Sequence, residues 1–262
     1  MSDEPRPLSR SEAASLTALT VKKMRSERGQ TIAEGEALVR EALASPWLVH
    51  EIAATTEWIQ SGKLSYLAEQ LSKRAVKIRS IDHDLLKRIS ELETAPGVIA
   101  TVSPPEQDES HIDGVIIALD RVSDPTNLGA IARTACFYGV KQIWLSEDSV
   151  DILNPRAIRA SMGGLFHVST KKCNSLEQEL KAAKQQGVSI IAANALSGSP
   201  QLPKRPGRAI IVVLGSEAHG IRESILAIAD VSWHLLPIGR DLTLNVAATT
   251  AILLDRLTSN SS

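Results

Sequence analysis

The feature that most constrains the fold is a series of uninterrupted apolar runs in the second half of the chain. The runs are GVIIALD, VKQIWLS, VSIIAANA, AIIVVLG and VSWHLLPI. Helical patterns such as GAIARTACFYG and SLEQELKAAKQQG lie between them. Strands that are apolar on both faces, with helices between them, indicate an α/β fold with a mostly parallel sheet covered on both sides. Ligands of such sheets bind beyond the carboxyl ends of the strands, so the residues that follow each run are candidates for a functional site.

The first hundred residues predict a separate, smaller α/β domain. Apolar positions at helical spacing predict a helix from Thr31 to Leu43, and strand and helix patterns alternate after it. The stretch TVSPPEQDESHIDG is rich in Pro, Ser and acidic residues and has no apolar periodicity, which is typical of a linker. We therefore predict a flexible leader over residues 1–20, a first domain over 21–103, a linker over 104–110 and a second domain over 111–262.

Overall charge does not identify the partner, because 29 Lys and Arg residues oppose 30 Asp and Glu residues. Affinity for an anionic polymer must therefore come from local patches. Two basic stretches in the first domain, VKKMRSERG and SKRAVKIRS, are candidates. Each one alone is more simply explained as a solvated helix face. The candidate RNA-binding residues in these stretches are Lys22, Lys23, Arg25, Lys73, Arg74 and Lys77.

Metal and membrane functions have no support in the sequence. The two cysteines, Cys136 and Cys173, belong to no CxxC or Cys/His pattern, so we expect free thiols in a reducing compartment and no metal site. The N-terminus MSDEPRPLSR lacks the apolar core of a signal peptide, and no apolar run approaches the roughly 20 residues that span a bilayer. These features predict a cytoplasmic protein.

Polar residues follow two of the apolar runs in the predicted sheet. Asp124, Asn127 and Arg133 come after GVIIALD, at the start of an Ala-rich helix. Capping explains the first two residues, and surface solvation explains the arginine. Gly215 and Glu217 come after AIIVVLG, where a turn with one exposed acid is an equally simple interpretation.

A third polar loop, IGRDLTLNVAATT, follows the last apolar run. We expect Asn245 in this loop to be buried among apolar neighbours, where its amide needs hydrogen-bond partners, although a helix cap is the alternative. Three such loops at the ends of parallel strands predict one shared pocket for a polar ligand. The residues alone leave the reaction open.

Taken in order, the three loops closely resemble the motifs of the SpoU-type RNA ribose 2′-O-methyltransferases of the SPOUT class. DPTNLGAIARTA resembles the first motif, VLGSEAHGI the second and LPIGRDLTLNVAATTAILL the third. The preceding segment resembles the small RNA-binding domain of that family, which is similar in fold to ribosomal protein L30e. The resemblance implies that the first domain binds the RNA substrate and that its basic stretches contact the RNA.

The same resemblance implies the cofactor and the assembly. It implies a deep trefoil knot in the second domain, which would be an exception to the near-absence of knots in proteins. It also implies a homodimer whose site lies where two knotted domains meet, and S-adenosylmethionine as the methyl donor. The implied cofactor-binding residues are Asn194, Gly215, Leu236 and Leu244.

The catalytic residues implied by the resemblance are Arg133, Asn127, Glu217 and Asn245. A guanidinium with a pKa above about 12 is very hard to deprotonate. We therefore favour Arg133 as the group that binds an RNA phosphate and stabilises oxyanion charge, with a role as general base as the alternative. Glu217 and Asn127 would orient Arg133, and Asn245 would hydrogen-bond the substrate or the cofactor.

The third motif departs from the family pattern in two ways. Thr243 stands where family members commonly have serine, and the loop between Pro237 and Asn245 is one residue shorter than usual. The overall prediction is an S-adenosylmethionine-dependent ribose 2′-O-methyltransferase acting on structured ribosomal or transfer RNA. The alternative is an RNA-binding protein that retains the fold with weak or no catalysis. The presence of all four catalytic candidates favours the enzyme.

Overall fold

The computed structural model describes residues 5–106, 112–194, 197–202, 209–240 and 243–259. The chain divides into two compact units. The first unit comprises Met1–Glu106 and Leu153–Phe166, and the second comprises Gln107–Ile152 and His167–Ser262. Most of the predicted linker, from residue 107 on, lies outside the described residues. The segment Leu153–Phe166, expected in the second domain, packs with the first unit.

The secondary structure elements are numbered along the chain. The helices are α1 (Arg10–Ala18), α2 (Lys22–Arg28), α3 (Glu36–Ala44), α4 (Thr56–Gln60), α5 (Ala68–Arg74), α6 (His83–Ile89), α7 (Pro125–Phe137), α8 (Pro155–Ala160), α9 (Leu176–Gln185), α10 (Glu223–Leu226) and α11 (Val246–Ser259). The strands are β1 (Thr31–Glu34), β2 (Leu48–Ala54), β3 (Lys77–Ser80), β4 (Val98–Ser103), β5 (Gly114–Asp120), β6 (Gln142–Ser146), β7 (Ser169–Cys173), β8 (Ser189–Ala193), β9 (Ala209–Gly215) and β10 (Val231–Trp233).

Among its described residues, the first unit has a four-stranded sheet in the order β1–β4–β2–β3. Strand β1 corrects the prediction of a helix from Thr31 to Leu43, because its four residues are buried and pair antiparallel with β4. Gly35 follows with a φ of +94°, a conformation that residues with a Cβ rarely adopt, and α3 begins at the next residue. The apolar positions before Gly35 therefore belong to a strand, and those after it belong to a helix.

Helix α1 lies inside the segment predicted as a flexible leader. A capping box starts the helix: Ser9 Oγ accepts the N–H of Glu12, and the Glu12 carboxylate accepts the N–H of Ser9 at 2.7 Å. Leu16 and Leu19 are buried in a core that includes residues of α6. Residues of this segment thus contribute to the core of the first unit.

Among its described residues, the second unit has a six-stranded sheet in the order β10–β8–β9–β5–β6–β7. All neighbouring strands are parallel, which confirms the predicted α/β fold class. Strands β5 and β9 are buried along nearly their whole length, as expected for strands covered on both faces. Their last residues, Asp120 and Gly215, are paired. The loops that follow β5 and β9 therefore start side by side.

Helices α7 and α11 pack against each other. Helix α7 follows β5 and buries Leu128, Ile131 and Ala135, while α11 buries apolar side chains that include Leu254. Tyr138 is the C-cap residue of α7, and its hydroxyl lies 3.3 Å from a carboxylate oxygen of α11. This packing brings the start of α11, and with it the third polar loop, next to the first.

Candidate active site

The first loop, between β5 and α7, places Asn127 in the first turn of α7. Asp124 is the N-cap, and its Oδ1 accepts the N–H of Thr126 at 2.8 Å. Pro125 occupies the first helical position, where its missing N–H has no intrahelical role. Asn127 is buried, and its side chain bonds to residues of the other two loops. Capping therefore accounts for Asp124 but not for Asn127.

The second loop, Ser216–Arg222, folds back on itself directly after β9. A methyl group at Gly215 would overlap the backbone of Gly220 and Ile221, so only glycine fits there. The N–H of Gly220 donates to the carbonyl oxygen of Ser216 at 2.8 Å. This closed turn presents the side chain of Glu217 to the first and third loops.

In the third loop, Asn245 immediately precedes α11 and has two roles. Its Oδ1 accepts the N–H of Ala247 at 2.9 Å, which caps the helix. Its Nδ2 donates to Asn127 Oδ1 at 2.9 Å and to Glu217 Oε1 at 2.6 Å. The expectation that Asn245 is buried among apolar neighbours is wrong, because Asn245 is exposed and the buried face of α11 begins only at Val246.

One carboxylate oxygen, Glu217 Oε1, joins all three loops. It accepts an N–H from Asn127 at 3.2 Å, from Asn245 at 2.6 Å and from the backbone of Val246 at 3.3 Å. Hydrogen bonds to an ionised acceptor are stronger than neutral ones, and the N-terminus of α11 favours a negative charge. The network of Asn127, Glu217 and Asn245 thus fixes the positions of the three loops relative to one another.

Arg133 lies apart from this network. Its side chain is exposed and, in the part of the chain that the structure describes, it forms no hydrogen bond or ion pair. Arg133 follows Asn127 by six positions, which is about 240° around an α-helix, so the two side chains leave α7 on different sides. Within one chain, the structure does not bring Arg133 to Glu217 and Asn127, which were expected to orient it.

Three charged residues that the sequence patterns did not single out hold the second loop in place. Asp120 is fully buried at the end of β5, and its Oδ2 accepts the N–H of Arg222 at 2.8 Å while its Oδ1 lies 2.9 Å from the Arg222 guanidinium. The carbonyl oxygen of Asp120 accepts the N–H of Ser216 at 3.1 Å. Arg121 donates to the carbonyl oxygen of Gly220 at 3.3 Å. The sequence feature that could have pointed to these residues is Asp120 itself, a carboxylate at the last position of a buried strand.

Arg222 also pairs with the exposed carboxylate of Asp148. The hydrogen bond from the guanidinium holds the pKa of Asp148 below its usual range. The same bond raises the pKa of Arg222 above its ordinary value. Both groups are therefore charged at neutral pH.

Three of the candidate cofactor residues, Asn194, Gly215 and Leu236, lie at or just after the ends of β8, β9 and β10, and the fourth, Leu244, lies just before α11. The N–H of Asn194 donates to the carbonyl oxygen of Trp233 at 2.9 Å, which joins the loops after β8 and β10. Leu236 and Leu244 are 57% and 50% exposed, and Ile238 between them is fully exposed. Part of the loop predicted to be one residue short, residues 241–242, lies outside the described residues. The described part of this loop presents an apolar surface to solvent.

The six basic candidates of the first unit do not share one role. Arg25 is buried, and its guanidinium donates to the carbonyl oxygens of Leu19 and Thr20 just after α1. Arg74 donates to the carbonyl oxygen of Trp47 at 2.7 Å. These two guanidinium groups stabilise the fold of the first unit. Arg74 is exposed apart from this contact, and the other exposed candidates are Lys22, Lys23, Lys73 and Lys77.

Over the described ranges, no three His, Cys, Asp or Glu side chains come together in a group that could hold a metal ion. No helix in those ranges has the length and apolar character needed to cross a membrane. Cys136 is exposed and Cys173 is buried, and both are free thiols.

Comparison with known proteins assigns both parts of the chain. The SpoU rRNA Methylase family matches residues 114–255, and an MRM3-like substrate binding domain matches residues 13–100. The 23S rRNA (guanosine(2553)-2′-O)-methyltransferase RlmP of Bacillus subtilis is 30% identical over 243 residues, which covers 91% of this chain and 92% of RlmP. The mitochondrial rRNA methyltransferase 3 of Homo sapiens is 26% identical, over 68% of this chain and 42% of the human protein.

Solved structures agree with these matches. A structure from Porphyromonas gingivalis, assigned to the TrmH family of RNA methyltransferases, has a TM-score of 0.80 and 28% identity and covers 95% of this chain and 98% of its own. The AdoMet-bound rRNA methyltransferase of Sinorhizobium meliloti has a TM-score of 0.82 at 23% identity, covering 97% of this chain and 96% of its own, which supports the fold.

The parallel sheet, the three-loop network and these relatives define a class of protein, the RNA 2′-O-methyltransferases that carry a separate substrate-binding domain. The chain belongs to the SpoU rRNA methylase family. The resemblance carried by the three sequence motifs is thereby confirmed.

Proposed function

We propose that this chain transfers the methyl group of S-adenosylmethionine to the 2′-hydroxyl of a ribose in structured RNA, and that the RNA is ribosomal. The observation that carries the proposal is the hydrogen-bonded network of Asn127, Glu217 and Asn245. Each residue comes from a different loop, and the three loops follow one another in the order of the family motifs. The 30% identity to the 23S rRNA methyltransferase RlmP supports ribosomal RNA over transfer RNA.

The four candidate cofactor residues fit S-adenosylmethionine in their chemistry. Gly215 allows backbone to approach closely where any side chain would collide, and Leu236 and Leu244 offer exposed apolar surface for a nucleoside. Asn194 joins the loop after β8 to the loop after β10. These four residues would hold S-adenosylmethionine. When bound, the cofactor supplies an electrophilic methyl group attached to a sulfonium sulfur.

The protein's own contribution is to position and polarise the ribose hydroxyl, which is a poor nucleophile at neutral pH. The network holds the start of α7 and the start of α11 against the second loop, so the site is ordered before the substrate arrives. Arg133 binds an RNA phosphate and stabilises the negative charge that develops on the 2′-oxygen. Its exposed guanidinium is free for this role.

We also propose the knotted fold and the homodimer that are implied by the family. In a homodimer, Arg133 of one copy faces the network of the other copy. The exposure of Arg133, and of Phe137 about one turn further along α7, supports this arrangement. Each site then takes its arginine from one copy and Asn127, Glu217 and Asn245 from the other.

RNA recognition is assigned to the first unit, which matches a substrate-binding domain. Lys22, Lys23, Lys73 and Lys77 are the exposed cations that would contact phosphates. Arg25 and Arg74 are left out of this surface because their guanidinium groups bond backbone carbonyls. We place the reaction in the cytoplasm, where bacterial ribosomal RNA is found.

The test is to map 2′-O-methyl groups on total RNA from cells with and without the chain. We expect one ribosomal ribose to lose its methyl group and to regain it with the wild-type chain but not with Glu217→Gln. If a transfer RNA loses its methyl group instead, the proposed reaction stands and its substrate is transfer RNA. An unchanged map, together with no S-adenosylmethionine binding at millimolar concentration in calorimetry, would favour an RNA-binding protein without catalysis.

A further inference from the structure

We infer that Asp120, Arg121 and Arg222 form a clamp on the second loop that sets the position of Glu217 for methyl transfer. The three residues are here called the loop clamp. The inference rests on the proposed function, because it assigns positioning residues to that reaction. None of the three belongs to the network of Asn127, Glu217 and Asn245.

The clamp ties both ends of the second loop to one residue. At the start of the loop, the N–H of Ser216 donates to the carbonyl oxygen of Asp120 at 3.1 Å. At its end, the N–H of Arg222 donates to Asp120 Oδ2 at 2.8 Å. In the middle, Arg121 donates to the carbonyl oxygen of Gly220 at 3.3 Å. A loop held at three points has little freedom to move its side chains as a group.

The burial of Asp120 indicates that its charge serves position more than stability. Its carboxylate has no exposure to solvent, and an ionised group is costly to bury unless it is paired. The Arg222 guanidinium lies 2.9 Å from one of its oxygens and Arg121 Nε lies 3.7 Å from the other. Well-packed apolar residues often stabilise a fold as well as a buried ion pair does. What an apolar residue cannot provide is an acceptor for the N–H of Arg222.

The loop clamp affects the reaction through the position of Glu217. Glu217 is the second residue of the clamped loop, and its Oε1 must reach donors from two other loops at once. Release of either end of the loop would let Glu217 shift relative to Asn127 and Asn245. A misplacement of about 1 Å at a site costs on the order of 100-fold in rate.

The first measurement is single-turnover methylation by the full-length protein on an RNA that the wild type methylates. We expect Asp120→Ala, which removes the side-chain acceptor of the Arg222 N–H, to lower the rate by about 10- to 100-fold while the KM for RNA stays within about threefold. Arg222→Gln keeps the backbone N–H and covers the case that Asp120→Ala does not fold. Arg222→Lys should recover part of the rate that Arg222→Gln loses. The matched control is Asp148→Asn, which removes the outer partner of the same guanidinium and should leave the rate within about threefold.

The decisive comparison is a double-mutant cycle with Glu217→Gln. If the clamp acts through Glu217, Asp120→Ala should slow the Glu217→Gln protein much less than it slows the wild type. A purely structural role would make the two rate losses multiply. Multiplicative losses, with all variants folded by circular dichroism, overturn the inference.

Amide hydrogen exchange tests the clamp without any substrate. Asp120→Ala removes the acceptor of the Arg222 N–H, so it should speed exchange at Arg222 and at Ser216, at the other end of the loop, by about tenfold or more and leave helix α9 unchanged. If the wild type methylates no RNA, the proposed function fails, and the exchange result then decides the clamp by itself. Unchanged exchange at Ser216 and Arg222 overturns the inference whatever the activity.

Discussion

Asn245 combines two contacts that substitution can separate. Its Oδ1 caps α11, and its Nδ2 donates to Asn127 and Glu217. Asn245→Ala removes both and should cost about 1 kcal/mol of stability through the lost cap, besides its loss of activity. Asn245→Asp keeps a capping oxygen but places a second carboxylate beside Glu217, so methylation should fall by about 100-fold. Chemical denaturation and single-turnover methylation of both variants check this. Near-wild-type activity of Asn245→Asp would contradict the role of the network.

The ion pair of Asp148 and Arg222 predicts a pH dependence of stability. The pKa of Asp148 is lowered in the folded protein by the hydrogen bond from Arg222. The ion pair therefore contributes fully to stability above the unfolded pKa of about 3.9. This contribution is lost as the pH falls through the lower pKa of Asp148 in the folded protein. Both side chains are partly exposed, so the contribution at pH 7 should be at most about 1 kcal/mol. Urea denaturation should give Asp148→Asn a lower free energy of unfolding than the wild type at pH 7, and this difference should shrink towards pH 3. If the difference in unfolding free energy does not depend on pH, the ion pair is excluded as its cause.

At the scale of elements, the sheet of the second unit was predictable because its strands are continuous apolar runs, a pattern that needs no tertiary information. Strand β1 was not, because its apolar residues also fit the helical stripe that continues beyond Gly35. Helix α1 was missed because its burial depends on partners in α6, far along the chain. Local periodicity therefore predicts elements well only where a single element accounts for the whole pattern.

The site was predictable from the sequence only in part, because only some of its residues stand in local motifs. Asn127, Glu217 and Asn245 stand in motifs whose order identifies a family. The loop clamp is visible only when the pairing of β5 with β9 places Asp120 beside Gly215. Arg25 was expected on an RNA-binding surface because it stands in a basic stretch, but its burial depends on the carbonyls at the end of α1.

The turn after β9 predicts a steric requirement for glycine. A Cβ at Gly215 would overlap the backbone of Gly220 and Ile221, which cannot move aside as a flexible side chain could. Gly215→Ala should therefore destabilise the protein by about 1–3 kcal/mol and displace the loop that carries Glu217, with loss of methylation. The control is Gly239→Ala, since no atom lies within 4 Å of a Cβ there, and its melting temperature should not change. Equal melting temperatures for the two variants would refute the close approach.

At the scale of the whole molecule, the first unit should carry the electrostatic part of RNA affinity. Replacing Lys22, Lys23, Lys73 and Lys77 with glutamine should weaken RNA binding and flatten its dependence on salt, because fewer counterions are released from the RNA. Replacement of four exposed lysines of the second unit, Lys141, Lys172, Lys181 and Lys184, with glutamine is the charge-matched control. Binding titrations from about 50 to 200 mM salt measure both slopes. Equal slopes for the four-lysine variant and the wild type would refute the assignment.

The proposed homodimer makes a prediction that a monomeric site cannot match. If Arg133 of one copy completes the network of the other, Arg133→Ala and Glu217→Gln homodimers should both be nearly inactive. A heterodimer of the two variants contains one site with both defects and one site with neither, because each copy supplies what the other lacks. Such heterodimers, isolated through two different affinity tags, should recover about half of the wild-type activity. If Arg133 instead acts within its own chain, every site of the heterodimer has one defect, and its activity should remain as low as that of the two parent variants.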